Sequence, residues 1–144
     1  MSAGRICSRV VVTARPNETV REAARRMAEN DVGSLVVVAV DGVTRAVGII
    51  TDRDIAIRCV AGNRHPDETL VSEVMSAPVQ SVDQDTPIED ALSHMASVAT
   101  RRLVVTGAGK EAVGILSVDD ILGLLIGETS EIGRLLHKQA PHIG

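Results

Sequence analysis

The chain has 144 residues, with 15 Lys and Arg against 19 Asp and Glu for a net charge of −4, and its 44% apolar residues include no Phe, Tyr or Trp. That length suits one compact domain or two tightly packed halves whose core is built from Val, Ile, Leu, Met and Ala. The acidic balance, the lack of a long Lys or Arg run and the missing aromatic stacking platforms argue against a nucleic-acid partner.

The N-terminus MSAGRICSRVVV lacks the apolar run and cleavage site of a signal peptide. No stretch approaches the roughly 18 uncharged apolar residues of a membrane span, so a soluble cytoplasmic protein without membrane contact is expected. Cys7 and Cys59 form no C-x-x-C pair and read as reduced and structural, with redox sensing as the alternative. His65, His94, His137 and His142 share no metal-ligand spacing, so no metal site is expected.

Arg9–Ala14 is a short β-prone segment. A helix follows, with Thr19 as N-cap and Glu22 three residues on, and with Val20, Ala23, Ala24 and Met27 as its apolar stripe. Its Arg21, Arg25 and Arg26 read as a solvated face balanced by Glu18, Glu22 and Glu29. Leu35–Val40 and Ala46–Ile50 form a β-hairpin through VDGVTR. A second helix begins after Thr51 and stops near Gly62, where glycine can take a left-handed C-terminal conformation. Glu68–Met75 is a short linking helix.

The series then repeats. Val79–Val82 is β-prone, and a helix capped by Thr86, with Glu89 three residues on and Pro87 at its first position, carries Ile88, Ala91, Leu92 and Met95. Leu103–Thr106 and Ala112–Leu116 form the next hairpin through TGAGKE. A helix after Ser117 runs to Gly127, and Ser130–Lys138 is a terminal helix.

The repetition is the informative feature. At an offset of 68, Ala23, Met27 and Ala28 fall on Ala91, Met95 and Ala96, and Leu35-Val36-Val37 falls on Leu103-Val104-Val105. After a loop two residues shorter in the second copy, AVGIITDRDI at 46–55 falls on AVGILSVDDI at 112–121. Each half is thus β-α-β-β-α. A unit of about sixty residues is near the lower limit for independent stability. The expected fold is therefore α/β (α+β), two halves packed as one pseudo-twofold module with paired clefts at the seam, where small ligands tend to bind.

T-D-R-D at 51–54 and S-V-D-D at 117–120 admit two readings. Thr51 with Asp54, and Ser117 with Asp120, are capping signatures that need no ligand. Equally, a carboxylate can accept from two adjacent hydroxyls, and a hydroxyl before a helix N-terminus suits an anion. Duplication of the upstream strands along with the motif favours the ligand.

These residues resemble the CBS domain pair, or Bateman module, in its stand-alone form. The resemblance covers about residues 7–126 and is carried by the T-V-x-E-A-A-x-x-M helix at 19–27 and its looser copy at 87–95. The x-S-L-x-V-V strand at 33–37 with R-R-L-V-V at 101–105, and above all G-I-I-T-D-R-D-I at 48–55 and G-I-L-S-V-D-D-I at 114–121, complete it. It implies CBS motif 1 at 1–66, a linking helix at 67–75, CBS motif 2 at 76–127 and a C-terminal helix and tail at 128–144.

It also implies a regulatory module without catalytic activity that binds AMP, ADP or ATP, with S-adenosylmethionine as an alternative and Mg²⁺ accompanying ATP. Asp54 and Asp120 would accept from the ribose diol, and Thr51 and Ser117 would bond to sugar or phosphate. Arg102, with Arg101 beside it, would meet phosphate, while Val32, Gly33, Pro78 and Val79 would line the purine. Each pocket would take residues from both repeats. Arg53, one residue before Asp54, would add a cation at the phosphates where Asp119 adds an anion, so the two sites are expected to differ. The resemblance further implies a disc-like homodimer joined through the helices that follow the first and third strands of each repeat, those after Thr51 and Ser117 carrying the apolar surplus, and a regulated protein partner. The competing reading is a ligand-free CBS scaffold, a dimeric protein-interaction module.

Overall fold

Leu35, Val36 and Val37, and their copies Leu103, Val104 and Val105, are all fully buried. A strand covered on both faces reads as an unbroken apolar run rather than an alternating one, and each of these two is the central strand of a three-stranded sheet. The computed structural model describes residues 1–9, 11–40 and 44–126. In chain order its elements are α1 (Ala3–Ile6), β1 (Thr13–Ala14), α2 (Val20–Asn30), β2 (Ser34–Val40) and β3 (Thr44–Thr51). Next come α3 (Asp52–Asp54), which runs on as a π-helix over Ile55–Val60, and α4 (Val71–Val74). The second series is β4 (Ser81–Asp83), α5 (Ile88–Val98), β5 (Arg102–Thr106), β6 (Ala112–Ser117) and α6 (Val118–Ile126). The fold is mixed α+β, with the β-α-β-β-α order of the sequence reading in each half.

The two sheets have the same topology. β1 runs parallel to β2, and β2 pairs antiparallel with β3 in a register that sets Ser34 opposite Thr51 and Leu35 opposite Ile50. β4 runs parallel to β5, and β5 pairs with β6 so that Arg102 faces Ser117 and Leu103 faces Leu116. Even the irregularity repeats: the register shifts after Val37 in one sheet and after Val105 in the other.

The cores correspond residue by residue in sequence position. Val20, Ala23, Met27, Leu35, Val37 and Ile50 in the first recur as Ile88, Ala91, Met95, Leu103, Val105 and Leu116 in the second. The helical stripes are narrower than expected, since Leu92 is exposed. α2 is capped as predicted, the Glu22 amide donating to Thr19 Oγ1 at 3.2 Å. Thr86 is not the cap of α5; Pro87 holds that position without a side-chain bond. The backbone of Thr86 is already engaged, its amide donating to Asp83 O at 3.0 Å and its carbonyl accepting from Ala3 at 2.8 Å.

Sequence copy and packing unit do not coincide. Val12–Val79 pack as one unit, while the N-terminal residues pack with the chain from Gln80 onward. The repeat-based boundaries at 1–66, 67–75 and 76–127 thus follow the duplication, and the packing boundaries fall at Val12 and Gln80. The reason lies in two short helices that are themselves a copied pair, α1 and α4, 68 residues apart. Each is followed by a serine whose amide and carbonyl pair with a strand. Ser8 exchanges bonds of 2.9 and 3.0 Å with Ile115 of β6, and Ser76 exchanges bonds of 2.8 and 3.1 Å with Ile49 of β3.

Glycine permits both approaches. A Cβ on Gly114 would sit 2.6 Å from Ser8 O, and one on Gly48 would sit 2.7 Å from Ser76 O. The expected linking helix at Glu68–Met75 is correspondingly shorter, because Thr69 before it is buried and its hydroxyl donates to His65 O at 2.8 Å.

Where α6 is α-helical, its counterpart after Asp54 is π-helical, with Ala61 N–H donating to Ala56 O at 2.9 Å. The left-handed residue beyond it is Asn63 (φ 58°), not Gly62, and Arg64 N–H closes back onto Cys59 O at 2.9 Å. Asn tolerates this conformation through its short polar side chain. The expected helix end at Gly127 and the terminal helix at Ser130–Lys138 lie outside the described residues.

Candidate functional site

Both capping boxes form. In the first unit the Asp54 amide donates to Thr51 Oγ1 at 3.0 Å, and Asp54 Oδ2 accepts from the Thr51 amide at 3.0 Å. In the second the Asp120 amide donates to Ser117 Oγ at 3.1 Å, and Asp120 Oδ2 accepts from the Ser117 amide at 2.9 Å. The capping reading of T-D-R-D and S-V-D-D is therefore realised. It does not exhaust the carboxylate of Asp54, whose Oδ1 accepts no hydrogen bond among the described residues and lies 3.9 Å from Arg58 Nε. The Asp54 side chain keeps only 13% exposure.

The strand ends bring further predicted residues to each motif. In the first unit the amide of Asp52 donates to Gly33 O at 3.0 Å, which fixes Val32 and Gly33 beside Thr51. A cavity of about 260 Å³ lies there, lined by Met27, Ala28, Asp31, Val32, Gly33 and Asp52. Its size is just below the roughly 300 Å³ at which small-molecule pockets begin. Thr51, Arg53 and Asp54 do not line it; Arg53 is exposed, and its amide donates to Asp52 Oδ1 at 2.8 Å. Exposed Pro78 and half-buried Val79 follow Ser76, which pairs two residues before Thr51.

In the second unit the amide of Val118 donates to Arg101 O at 3.0 Å, the same contact as Asp52 to Gly33. Arg102 faces Ser117 across the sheet. Arg101 Nη2 approaches Asp119 Oδ1 to 3.8 Å. The cation therefore stands on the helix side in the first unit and on the strand side in the second, where an anion takes the helix-side place. The first carries Gly33 on the strand side and Arg53 on the helix side, and the second carries Arg101 and Asp119 at the equivalent places. The sequence sets Arg53 against Asp119 with Arg101 and Arg102 able to soften the contrast; the structure brings Arg101 to Asp119, at the place that the offset of 68 from Gly33 gives it.

Arg58 was also missed. Its Nη1 donates to Val74 O and Met75 O, both at 3.0 Å, at the end of α4. The available signal was its place four residues after Asp54, the spacing at which helical side chains meet.

Both cysteines are buried thiols. Burial raises the pKa of Cys7 more than the nearby Arg9 cation lowers it, which disfavours the reactive thiolate. Two of the three helix-face arginines are paired, Arg26 with Glu18 at 2.6 Å and Arg21 with Asp67. Among the described residues no group of His, Cys, Asp or Glu could hold a metal ion, and no helix is long and apolar enough to cross a membrane.

The chain matches the model of the CBS domain twice, at residues 3–60 and 71–127. It is 35% identical over 122 residues to the uncharacterized protein MK0525 of Methanopyrus kandleri, covering 85% of this chain and 61% of that protein's length. The structure of the hexameric CBS-CP12 protein from bloom-forming cyanobacteria superposes with a TM-score of 0.77 at 32% identity, covering 85% of this chain and 70% of the other. That of the CBS domain protein PAE2072 from Pyrobaculum aerophilum, complexed with AMP, superposes with a TM-score of 0.74 at 28% identity, covering 88% of this chain and 100% of the other. With both copies matched and both sheets built alike, the chain belongs to the CBS domain family as a paired-CBS regulatory module.

Proposed function

We propose that this chain is a cytoplasmic sensor of AMP, ADP or ATP that catalyses no reaction and passes its ligand state to a protein partner. The observation that carries the proposal is the division of labour in Asp54: Oδ2 closes the helix cap, while Oδ1, facing Arg58 at 3.9 Å and accepting no hydrogen bond among the described residues, can accept from an incoming diol. Arg53, exposed one residue earlier, suits phosphate oxygens with its planar fork. The adjacent Gly33 lets a planar ring approach the backbone. The AMP complex of the Pyrobaculum relative supports the ligand class. S-adenosylmethionine shares the ribose diol and is the alternative ligand, and Mg²⁺ would accompany ATP by screening its phosphates. The completed capping boxes and the small cavity favour a second reading, a ligand-free scaffold.

The difference in charge between the units makes the proposal testable. Arg53→Ala is expected to weaken ATP at the first site by about tenfold, about 1.4 kcal/mol, and AMP by less, because more phosphate charge loses its cation. Asp119→Ala is expected to strengthen the second site only slightly. Arg101 already faces that carboxylate, and an ion pair whose arginine is open to solvent is worth about 0–1 kcal/mol. Calorimetric titration of both variants with ATP and AMP checks this; equal affinities in parent and Arg53→Ala would place Arg53 away from the phosphates.

The module is further proposed to act as a homodimer. Ile57 and Val60 on the π-helix and Leu122, Leu124 and Leu125 on α6 are exposed, Val60 at 69% and Leu125 at 74%. Apolar residues concentrated on an element commonly mark an interface, and a closed twofold is the commonest arrangement. Light scattering should give about twice the 15.2 kDa chain mass at micromolar concentration; the mass of a single chain would refute the dimer.

A further inference from the structure

We infer that Arg58 is a positioning residue that ties Asp54 to the segment following α4, so that ligand at Asp54 and docking of residues 74–79 are coupled. The inference deepens the nucleotide reading in its ligand-linked part, while the tether itself stands on the geometry of the first unit. Arg58 spans two groups that are distant in sequence. Its Nε faces Asp54 Oδ1 at 3.9 Å, and its Nη1 donates to the carbonyls of Val74 and Met75 at 3.0 Å each.

The next residue, Ser76, is held on β3 by its paired bonds with Ile49. The chain then continues through Pro78 and Val79 to the packing boundary at Gln80. One guanidinium therefore links the oxygen of Asp54 that the cap leaves over to the segment that leads from one unit into the next. The planar fork allows it to serve both ends at once, which a lysine ammonium on a flexible stem does less well.

Arg58 stands four residues after Asp54. An added residue per turn turns the positions after Asp54 relative to an α-helix, and Arg58 lies within the π segment Ile55–Val60. Among the described residues the second copy shows no equivalent tether. At the offset of 66 that relates Asp54 to Asp120, Arg58 falls on Leu124, which carries no charge and is 39% exposed. The segment after α1 is held otherwise, with Arg9 Nη2 donating to Gly4 O at 2.7 Å. Among the described residues the tether is thus found in the first unit.

The experiment is amide hydrogen exchange on the full-length protein, parent, Arg58→Leu and Arg58→Lys, each with and without AMP. Arg58→Leu installs the residue of the second copy. Without AMP, exchange at Ile49 and Ser76 should quicken by about tenfold in Arg58→Leu and by less in Arg58→Lys, with Ser8 and Ile115 unchanged as the control for folding. Unchanged exchange at Ile49 and Ser76 overturns the tether whether or not AMP binds. With AMP, the parent should gain protection at Ser76, Arg58→Lys should keep part of that gain, and Arg58→Leu should lose it even where AMP is saturating. A gain of equal size in Arg58→Leu overturns the coupling and leaves a purely structural contact. If AMP protects no amide of the parent although Arg58→Leu quickens Ser76, the nucleotide reading and the coupling to it fail while the tether stands.

Discussion

Deleting residues 1–8 is expected to unfold the unit that begins at Gln80 while the unit Val12–Val79 stays folded. α1 is a small element with a large share of that unit's closure. Ala3 is fully buried, and Cys7 is 8% exposed in the core with Ile88, Ala91 and Leu116. The backbone bonds lost run from Ala3 to Thr86, from Gly4 to Gln84, from Ile88 to Met1 and, in both directions, between Ser8 and Ile115. A buried backbone group left without a partner costs about 1–3 kcal/mol, so even a few such losses approach the roughly 5–15 kcal/mol that holds a domain together.

A gentler variant reaches the same contact. Gly114→Val places a Cβ where the Cys7 Sγ and Ser8 O now lie, each 2.6 Å away, and should lift the segment without removing it. Amide exchange reads the outcome by unit: Val104 and Leu116 should lose protection while Val36 and Ile50 keep theirs. Equal loss in both units, or none in either, would show that α1 is not what closes the second core.

This docking also marks where sequence reading stopped. The repeat, the α2 and α5 helices and the central strands were legible because each carries its own period: Val20, Ala23 and Met27 at helical spacing, and Leu35-Val36-Val37 as a run buried on both faces. α1 has four residues and no period to read, and its partners Gln84, Thr86 and Ile115 lie far along the chain. The second-copy cap failed for a related reason, because α1 occupies the carbonyl of Thr86. The capping boxes at Thr51–Asp54 and Ser117–Asp120 were legible as motifs, and both form. What the motif did not disclose was the partition of Asp54, with one oxygen on the cap and the other toward Arg58. Its partner Arg58 lies four residues on, within a π-helical segment.

The alanine variants Asp54→Ala and Asp120→Ala should each weaken nucleotide at their own site by at least about tenfold, 1.4 kcal/mol, and leave the other site as it was. The diol loses a charged acceptor, and hydrogen bonds to charged groups contribute about 1.5–3 kcal/mol each. Each substitution also removes the acidic half of a capping box and so lowers stability. Asp54→Asn separates the two effects. Its amide oxygen can still accept from the Thr51 amide, so the cap and the melting temperature should hold, while the carboxylate needed by the diol is gone.

The most direct measurement is calorimetric titration of the parent protein with AMP, ADP and ATP, with the Asp54→Asn and Asp120→Ala variants alongside. Because the chain contains no Phe, Tyr or Trp, the ultraviolet absorbance of protein recovered after gel filtration reports retained adenine directly. The account predicts saturable heat with at least one of the three nucleotides in the parent, and a loss confined to the first site in Asp54→Asn and to the second in Asp120→Ala. No heat from any of the three up to millimolar nucleotide would contradict the sensor and leave the ligand-free scaffold in its place.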